Sequence, residues 1–276
     1  MDELPVYALI TGASQGFGKE LAGELARRKI NLLLISLPGE GLESYCNRLK
    51  QEFKIEAWHF ETDLNTERSV YDIANWALGN FKVNMLINNA GVGGSRSFEL
   101  ASTESLESMI AINIRAVTIL TRLLLPELKT HKKSYILNVA SMASFSPIAF
   151  KTIYPASKSF VYSFSRGLHQ ELKDTGVSVS VIHPGPMKTN AEVTSRIEKQ
   201  SYIARLGLIS PKIAARIAIN GLLQKQAQIV PGVYNKLIWL LMKITPLNLR
   251  LIMASDIIRN EADTLNVKSR GFLIKD

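Results

Sequence analysis

A tyrosine and a lysine four residues apart, Tyr154 and Lys158, have the types and spacing needed for proton chemistry. They belong to the run "YPASK", and at the start of a helix both side chains would lie on one face, about one turn apart. Pro155 is compatible with such a start, because a first-turn proline removes an N–H that has no partner within the helix. A free tyrosine has a pKa of roughly 10, and a neighbouring ammonium lowers it by favouring the phenolate. The pair is a candidate proton donor and acceptor.

The composition limits the number of domains and the kinds of site that the chain can have. A chain of 276 residues with 46% apolar residues is long enough for one large α/β domain or two small ones. The single cysteine, Cys46, excludes an intrachain disulfide, and the four histidines show no metal-ligand spacing, so no metal site is predicted. The start "MDELPVYALITG" lacks the regions of a signal peptide. Together these features predict a cytoplasmic protein.

The charge is basic, with 33 Lys and Arg against 24 Asp and Glu. These basic residues are scattered, apart from short clusters at 26–29 and 129–133, and no zinc-finger or RNP-type motif accompanies them. We therefore expect no nucleic-acid partner. An anionic cofactor or an anionic membrane surface remains compatible with the charge.

Short apolar or β-branched runs alternate with longer segments of helical periodicity. The strand-like runs are "VYALIT" at 6–11, "NLLLIS" at 31–36, "EAWHFET" at 56–62, "VNMLIN" at 83–88, "SYILNVAS" at 134–141 and "VSVSVIHP" at 177–184. Strand and helix repeated in this way predict an α/β fold, a parallel sheet with helices on both faces. Ligands bind such sheets beyond the carboxyl ends of the strands, so the chemistry is expected there.

A glycine-rich loop follows the first predicted strand and leads directly into a helix. In "TGASQGFGKE", Gly12, Gly16 and Gly18 have the spacing G-x-x-x-G-x-G. Glycines in such a loop let the backbone turn tightly and approach a pyrophosphate, whose charge the helix N-terminus stabilises. A turn can require glycine for its conformation alone, but the place of this loop in an alternating sheet favours a phosphate site.

Polar residues end the later strands as well. Asp63 and Leu64 end the third strand, "NNAG" at 88–91 ends the fourth, Ser141 ends the fifth, and "HPGPMKT" at 183–189 follows the sixth. Each has an ordinary structural explanation on its own: a helix N-cap for Asp63, a turn for "NNAG", a strand-end cap for Ser141. Because the carboxyl ends of parallel strands share one edge of a sheet, all of them are expected near the same ligand.

Taken together, these segments resemble the short-chain dehydrogenase/reductase family. The match comprises "TGASQGFG", "NNAG", Asn113, Ser141, "YPASK" and "PGPMKT", in this order between about Val6 and Thr189. The resemblance implies a single doubly wound Rossmann-type domain over residues 1–232, with NAD(H) or NADP(H) as cofactor. It also implies about seven parallel strands, the last near "QIVP" at 228–231.

The resemblance further implies a catalytic group of Asn113, Ser141, Tyr154 and Lys158. Tyr154 would give its proton to a carbonyl oxygen in reduction and accept one from an alcohol in oxidation, while Ser141 would hydrogen-bond the same oxygen. Lys158 would also hold the nicotinamide ribose, and Asn113 would take part in a water relay to Lys158. Without the resemblance, Asn113 would be a satisfied polar group in an apolar helix and Lys158 a surface lysine.

The choice of nicotinamide cofactor depends on the end of the second strand. There, Ser36 and Leu37 are neither acidic nor basic, and Gln15 stands where many NADP-using relatives carry Lys or Arg. The absence of an acid removes repulsion against a 2′-phosphate, so the sequence favours NADP(H) over NAD(H), although Glu40 could fold back onto the ribose. The predicted cofactor-binding residues are Gly12, Ser14, Gln15, Gly16, Phe17, Gly18, Ser36, Asp63, Leu64, Asn89, Ala90, Gly91, Tyr154, Lys158, Pro184, Gly185, Met187 and Thr189.

The substrate side of the predicted site is apolar. By the resemblance, the segment at about 187–210 covers the substrate, and it carries several large apolar residues, as does the loop at 142–150. These favour an apolar carbonyl or alcohol, such as a lipid or a steroid-like compound. The plainer interpretation is that the same residues only pack the lid against the body.

A C-terminal extension, 233–276, follows the predicted domain. Its stretch 234–259 is rich in large apolar residues, but Lys243, Pro246 and Arg250 interrupt it, so it is not predicted to span a bilayer. Two amphipathic pieces with interleaved basic residues could lie on a membrane surface. Alternatively, they cover the pocket or form a subunit interface, and a homo-oligomer is common in the family.

The sequence therefore predicts an NADPH-dependent reductase of an apolar ketone. Two alternatives remain: an NAD-dependent alcohol dehydrogenase working in the oxidative direction, and a dinucleotide-sensing protein without turnover.

Overall fold

Strands and helices alternate along the chain in the computed structural model, which describes residues 6–188 and 207–256. The strands are β1 (Val6–Thr11), β2 (Asn31–Ser36), β3 (Ala57–Glu61), β4 (Lys82–Asn88), β5 (Ser134–Val139), β6 (Val177–Ile182) and β7 (Gln228–Ile229). All seven pair in parallel in one sheet, in the order β3-β2-β1-β4-β5-β6-β7. The predicted α/β fold is confirmed.

Helices cover both faces of the sheet. They are α1 (Gly16–Arg27), α2 (Leu42–Phe53), α3 (Glu67–Asn80), α4 (Thr103–Ile110), α5 (Val117–Thr130), α6 (Ile153–Glu171), α7 (Pro211–Leu223) and α8 (Val233–Ile244), and a further helical segment covers 247–256. A π-helical segment, Ala111–Ala116, joins α4 to α5 without a break.

Alternation along the strands divides the core into two layers. On one face of the sheet, Ile10 of β1 packs in a cluster with Leu21 of α1 and Ala218 of α7. On the other face, Leu9 packs in a cluster with Leu124 of α5. Successive side chains of a strand point to opposite faces, so a strand buried on both faces must be apolar at nearly every position, as the central strands are.

The strand order creates a crevice at the carboxyl edge of the sheet. The chain builds β1, β2 and β3 outward in one direction and then returns to place β4 on the other side of β1. The loops that leave β1 and β4 therefore diverge to opposite faces. Ligands of open α/β sheets bind at this reversal point.

Among the described residues, one helical stretch, Thr103–Thr130, is long and apolar enough to cross a membrane: it has 28 residues, and an 18-residue part of it has a mean hydropathy of 1.6. In the structure, Leu120, Leu124 and Leu128 of this stretch are fully buried in the layer against the sheet. Packing in the core accounts for its apolar character.

Three strands end earlier than the sequence pattern predicts, among them β6, which ends at Ile182 rather than at 184. β3 ends at Glu61 rather than at Asp63 and Leu64, because Asp63 turns the chain by accepting a hydrogen bond from the Asn65 N–H at 2.8 Å. β5 ends at Val139, before Ser141.

The C-terminal extension begins with helices, as predicted, and Asn235 of α8 is buried against the body. The division into a domain at 1–232 and an extension at 233–276 stays a prediction. Most of the predicted lid at 187–210 lies outside the described residues, and so does Thr189.

Candidate active site

A cleft of about 880 Å³ lies at the carboxyl edge of the sheet. Its walls come from the loops after β1, β2, β3, β4, β5 and β6, from the start of α6, and from the C-terminal helices. This volume is near the upper end of the usual range for ligand pockets, large enough for an extended ligand. The strand-end residues that the sequence grouped together therefore do share one site.

The glycine loop after β1 has a backbone that other residues could not adopt without strain. Gly12 and Gly16 have positive φ angles of 65° and 55°. A Cβ on Gly18 would lie 2.0 Å from the Gly12 carbonyl oxygen, so α1 can start this close to the loop only with glycine there. The loop consequently brings the N-terminus of α1, with its unpaired N–H groups, to the wall of the cleft.

Thr11 and Asn89 fasten this loop to the end of β4. The Asn89 side-chain amide donates to the carbonyl oxygens of Thr11 and Gly12 at 2.9 and 3.0 Å. In return, the Thr11 hydroxyl accepts from the N–H groups of Asn89 and Ala90 at 3.1 and 3.0 Å. Asn89 was predicted from the sequence, whereas Thr11 was not, because its only signal is its place immediately before the first glycine.

Tyr154 and Lys158 both line the cleft from the first turns of α6, as their spacing predicted. The Lys158 ammonium nitrogen lies 6.0 Å from the Tyr154 ring centroid and donates to the Val139 carbonyl oxygen at 2.9 Å. Burial lowers the pKa of Lys158 to about 8, because little water remains to solvate its charge. The surface-lysine interpretation of Lys158 is thereby excluded.

Asn113 lies behind the cleft, within the π-helical segment, and is fully buried. Its amide nitrogen donates to the Val92 carbonyl oxygen at 2.9 Å and to the Ser157 hydroxyl at 3.0 Å, while its oxygen accepts from the Val92 N–H at 2.9 Å. A Cβ on Gly91 would fall 3.0 Å from the Lys158 nitrogen and 3.2 Å from the Asn113 oxygen, so both polar groups flank this glycine. The water relay stays a prediction.

Ser141 lines the cleft beside the end of β5, and its hydroxyl accepts from the Ala143 N–H at 3.1 Å. Behind it, the Ser141 carbonyl oxygen accepts from the Ser144 hydroxyl at 2.6 Å, and His183 Nδ1 contacts that hydroxyl at 2.8 Å. Burial lowers the pKa of His183 to about 4, so this imidazole is neutral at neutral pH. Ser144 and His183 were not predicted, because their contact spans 39 residues of sequence.

Comparison with known proteins decides the family. A family model described as short chain dehydrogenase matches residues 6–200. The chain belongs to the short-chain dehydrogenase family. It is thus an oxidoreductase, in agreement with the resemblance of its motifs.

Individual relatives of this dehydrogenase include a very-long-chain 3-oxoacyl-CoA reductase of Anas platyrhynchos, 34% identical over 203 residues, which are 72% of this chain and 64% of that protein. The chain thus spans about three fifths of the length of the curated relatives it matches.

Two solved structures are also similar. A short-chain dehydrogenase from Sphingobium yanoikuyae in complex with NADPH is 27% identical, with a TM-score of 0.76 over 87% of this chain and 92% of that one. A bulky-bulky ketone specific alcohol dehydrogenase from Comamonas testosteroni is also 27% identical, with a TM-score of 0.73 over 88% of this chain and 95% of that one.

The residues present fit the nicotinamide dinucleotide that the family uses. The glycines at 12 and 18 keep a cradle open that any Cβ would fill, and α1 points its N-terminus into it. Except for Thr189, every predicted cofactor-binding residue lines the cleft: Gly12, Ser14, Gln15, Gly16, Phe17, Gly18, Ser36, Asp63, Leu64, Asn89, Ala90, Gly91, Tyr154, Lys158, Pro184, Gly185 and Met187.

Glu40 does fold back, onto the glycine loop. Its carboxylate accepts hydrogen bonds from the Ser14 hydroxyl and from the Gln15 side-chain amide, the latter at 3.4 Å. The Ser36 hydroxyl donates to the neighbouring Leu37 carbonyl oxygen at 3.0 Å. The cofactor end of the cleft therefore carries the Glu40 carboxylate, which the sequence had named as able to fold back.

The opposite end of the cleft is apolar. Its described lining includes Met142 and Ile148 from the loop before α6, Met187 after β6, and Met242 and Ala254 from the C-terminal helices. The extension therefore covers part of the pocket, one of the roles that the sequence left open.

Proposed function

We propose that this dehydrogenase reduces an apolar ketone, with a 3-oxoacyl thioester as the substrate class. The observation that carries the proposal is the joint presence of Tyr154, Lys158 and Ser141 in a cleft whose far end is lined by Met142, Met242 and other apolar residues. The name of the duck relative supports the substrate class, and the bulky-ketone specificity named for the Comamonas structure agrees with an apolar ketone.

Each residue has a distinct task in this proposal. A bound nicotinamide dinucleotide supplies hydride, and the chain's residues manage the proton and the substrate oxygen. Tyr154 donates its phenolic proton to that oxygen, Lys158 holds a positive charge beside the phenolate that results, and the Ser141 hydroxyl donates a hydrogen bond to the same oxygen. Asn113 holds the backbone of Val92 at the wall of the cleft, and its side-chain oxygen and the Lys158 nitrogen both flank Gly91.

NADP(H) is the proposed form of the cofactor, as the sequence favours. The end of β2 carries no acid, and the Sphingobium structure, which is similar to this chain, contains NADPH. Glu40 opposes a 2′-phosphate, but it stands between two glycines of positive φ, Gly39 and Gly41, in an exposed loop. Neither glycine has a neighbour within contact of its Cβ position, so this loop has room to move the carboxylate aside.

The test is to follow oxidation of NADPH and of NADH with 3-oxoacyl-CoA esters of increasing chain length and with neutral bulky ketones. We expect turnover that improves with chain length, and a loss of roughly 10²- to 10⁴-fold in kcat for Tyr154→Phe. Dinucleotide affinity, measured by nicotinamide fluorescence, should be nearly unchanged in this variant. A Tyr154→Phe enzyme with wild-type rates would refute the assignment.

The same assay separates the alternatives. Turnover found only with NAD⁺ and an apolar alcohol would favour the oxidative dehydrogenase. Dinucleotide binding without turnover of any ketone or alcohol would favour the sensing role.

We also propose that the outward face of the C-terminal helices lies on an anionic membrane surface. Val233, Leu237, Leu240, Leu241 and Ile244 recur at helical spacing on α8, and all are exposed, Ile244 to 75%. The segment 247–256 continues this apolar surface with Leu247, Leu251, Ile252 and Met253.

Charge favours a lipid surface over a second copy of the chain as the occupant. Lys236 and Lys243 are exposed on α8, and the one acid in the described part of the extension is Asp256. A second copy would bring the same cations to the interface, whereas anionic headgroups would neutralise them. Since Met242 and Ala254 of the same helices line the cleft, an apolar substrate could pass from the lipid to the site.

A further inference from the structure

A second lysine, Lys151, lies beside the proposed proton donor. Its ammonium nitrogen is 5.5 Å from the Tyr154 ring centroid, which is closer than the 6.0 Å of Lys158. Lys151 also lines the cleft, whereas nothing in the motif "YPASK" draws attention to it. The ring of Tyr154 thus has a cation within reach from the residue three before it and from the residue four after it.

The backbone next to Lys151 has a rare conformation that hydrogen bonds from other segments stabilise. Phe150 has a φ of 61°, in the left-handed region that a bulky side chain rarely adopts. Its carbonyl oxygen accepts from the Arg96 N–H at 2.7 Å, and the preceding Ala149 N–H donates to the Ser255 hydroxyl at 3.0 Å. Contacts from two remote segments therefore stabilise a conformation that costs energy locally, as is common next to functional sites.

The ring that Lys151 faces is fixed as well. A Cβ on Gly93 would lie 2.8 Å from Cδ2 of Tyr154, so the glycine backbone packs directly on the ring. Gly93 packs on the ring and the loop contacts hold the backbone beside Lys151, so the fold keeps the lysine next to the ring.

Among the described residues, the acids near the cleft are placed away from the Tyr154 ring. Asp256, next to the Ser255 that holds the loop, is exposed to water. The charged residues in the described lining are Glu40, Asp63, Lys151 and Lys158. The two carboxylates follow β2 and β3, and β1 and β4 separate those strands from β5, which precedes Tyr154. His183, behind Ser141, is neutral at neutral pH.

Further out, the guanidinium of Arg96 donates to the Leu100 carbonyl oxygen at 3.5 Å, and that of Arg250 donates to the Phe145 carbonyl oxygen at 2.6 Å. On α4, which packs against α6, Glu104 and Glu107 are the acids. Glu104 is exposed to water and Glu107 lies outside the lining, so solvent screens both from the ring.

We propose that Lys151 is a second cation of the active site, which stabilises the phenolate of Tyr154 together with Lys158. The proposal rests on Tyr154 being the proton donor, as proposed above. Lys151 acts through Tyr154 and transfers no proton itself. Burial penalises the charge of Lys158, whereas Lys151 is only partly buried and keeps some contact with water. Both lysines therefore stabilise the phenolate, and Lys151 does so with a smaller loss of hydration than Lys158.

The test is the pH dependence of kcat/KM in both directions for Lys151→Gln, Lys151→Arg and a matched control, Lys173→Gln. Lys173 is exposed just beyond the end of α6, and its replacement removes the same charge. Losing a cation at this distance should raise the pKa of Tyr154 by about half to one unit. Alcohol oxidation, which needs the phenolate, and ketone reduction, which needs the phenol, should both shift to higher pH by that amount in Lys151→Gln. Lys151→Arg and Lys173→Gln should keep the wild-type profile.

A second readout does not depend on turnover. The ultraviolet absorbance of tyrosinate, titrated in each protein and in its Tyr154→Phe counterpart, gives the ionisation of Tyr154 by difference. If the pKa of Tyr154 is the same in Lys151→Gln as in the wild type, the proposal is overturned. If, in addition, KM rises only for acyl-CoA esters, Lys151 is a substrate contact instead. If the wild type turns over nothing but the absorbance titration shifts, the proposed function fails and the role of Lys151 stands.

Discussion

At the scale of single residues, the polar side chains of the site are held by backbone atoms more than by one another. Lys158 bonds to the Val139 carbonyl oxygen, Asn113 to both backbone groups of Val92, and Asn89 to two carbonyl oxygens of the glycine loop. Replacing one of these side chains leaves the partners of the others in place. Effects on chemistry and on folding should therefore be separable by substitution.

Glu40 offers such a separation for cofactor choice. Replacing it by glutamine keeps a group that can accept from Ser14 and Gln15 but removes a negative charge from the cofactor end of the cleft. Less repulsion against the 2′-phosphate should strengthen NADPH binding by about three- to tenfold. NADH, which lacks that phosphate, should bind as before or more weakly.

The measurement is fluorescence titration of Glu40→Gln with each dinucleotide. The matched control is Glu43→Gln, which removes the same charge three residues later, in the first turn of α2. An equal change in affinity for both dinucleotides would show that Glu40 does not interact with the 2′-phosphate.

Sequence reasoning at this scale grouped residues whose type and spacing carry a signal, and missed those whose contacts are remote. Tyr154 and Lys158 were grouped by their spacing, and Ser141 by its place after a strand and by the family resemblance; all three line the cleft. Thr11 and His183 were missed because their partners are 78 and 39 residues away in sequence. Their roles come from the strand order, which places distant residues side by side.

At the scale of elements, the strands were predicted nearly to the residue because they are buried on both faces. The sequence placed Asn113 in an apolar helix, but it did not predict the π-helical segment. A π-turn adds one residue without changing which residues are apolar, so the periodicity hardly reports it. This segment carries Asn113, so the irregularity lies at the site.

The junction of β1 and α1 gives a test with two glycines of the same helix. Gly18→Ala places a methyl 2.0 Å from the Gly12 carbonyl oxygen, so we expect destabilisation of roughly 2–4 kcal/mol and loss of dinucleotide binding. At Gly23 a Cβ would find its nearest neighbour at 3.5 Å, so Gly23→Ala should stabilise α1 by about 0.5–1 kcal/mol. Urea unfolding and fluorescence titration measure both effects. Two alanine variants of equal stability would contradict the close approach.

At the scale of the whole molecule, the apolar residues that the sheet does not bury are concentrated on the C-terminal helices. Leu237 and Leu240 are each 54% exposed there. Exposed apolar patches of this extent mark interaction surfaces. The sequence predicted the amphipathic pieces, but it could not decide which side faces the body, because that depends on contacts such as the burial of Asn235.

Membrane binding should depend on that outward face. The variant Leu237→Ser/Ile244→Ser removes two exposed side chains at little cost to the fold, and Ile213→Ser on α7, 55% exposed, is the matched control. We expect wild type and control to sediment with phosphatidylserine-containing vesicles more than with pure phosphatidylcholine, and the double variant to remain in solution. The face would be a subunit interface instead if the wild-type protein never sediments with vesicles and is a dimer on size-exclusion chromatography, while the double variant is a monomer.

The buried amine of Lys158 has a thermodynamic consequence beyond the reaction. Its pKa of about 8 in the folded chain lies below the ordinary value of 10.5 that applies after unfolding. Between these values the unfolded chain binds more protons than the folded one, so as far as Lys158 is concerned the free energy of unfolding rises with pH across this window. Near neutral pH the fold carries an ammonium that it would be more stable without. If Lys158 has the proposed role beside the Tyr154 phenolate, that role is obtained at the expense of stability.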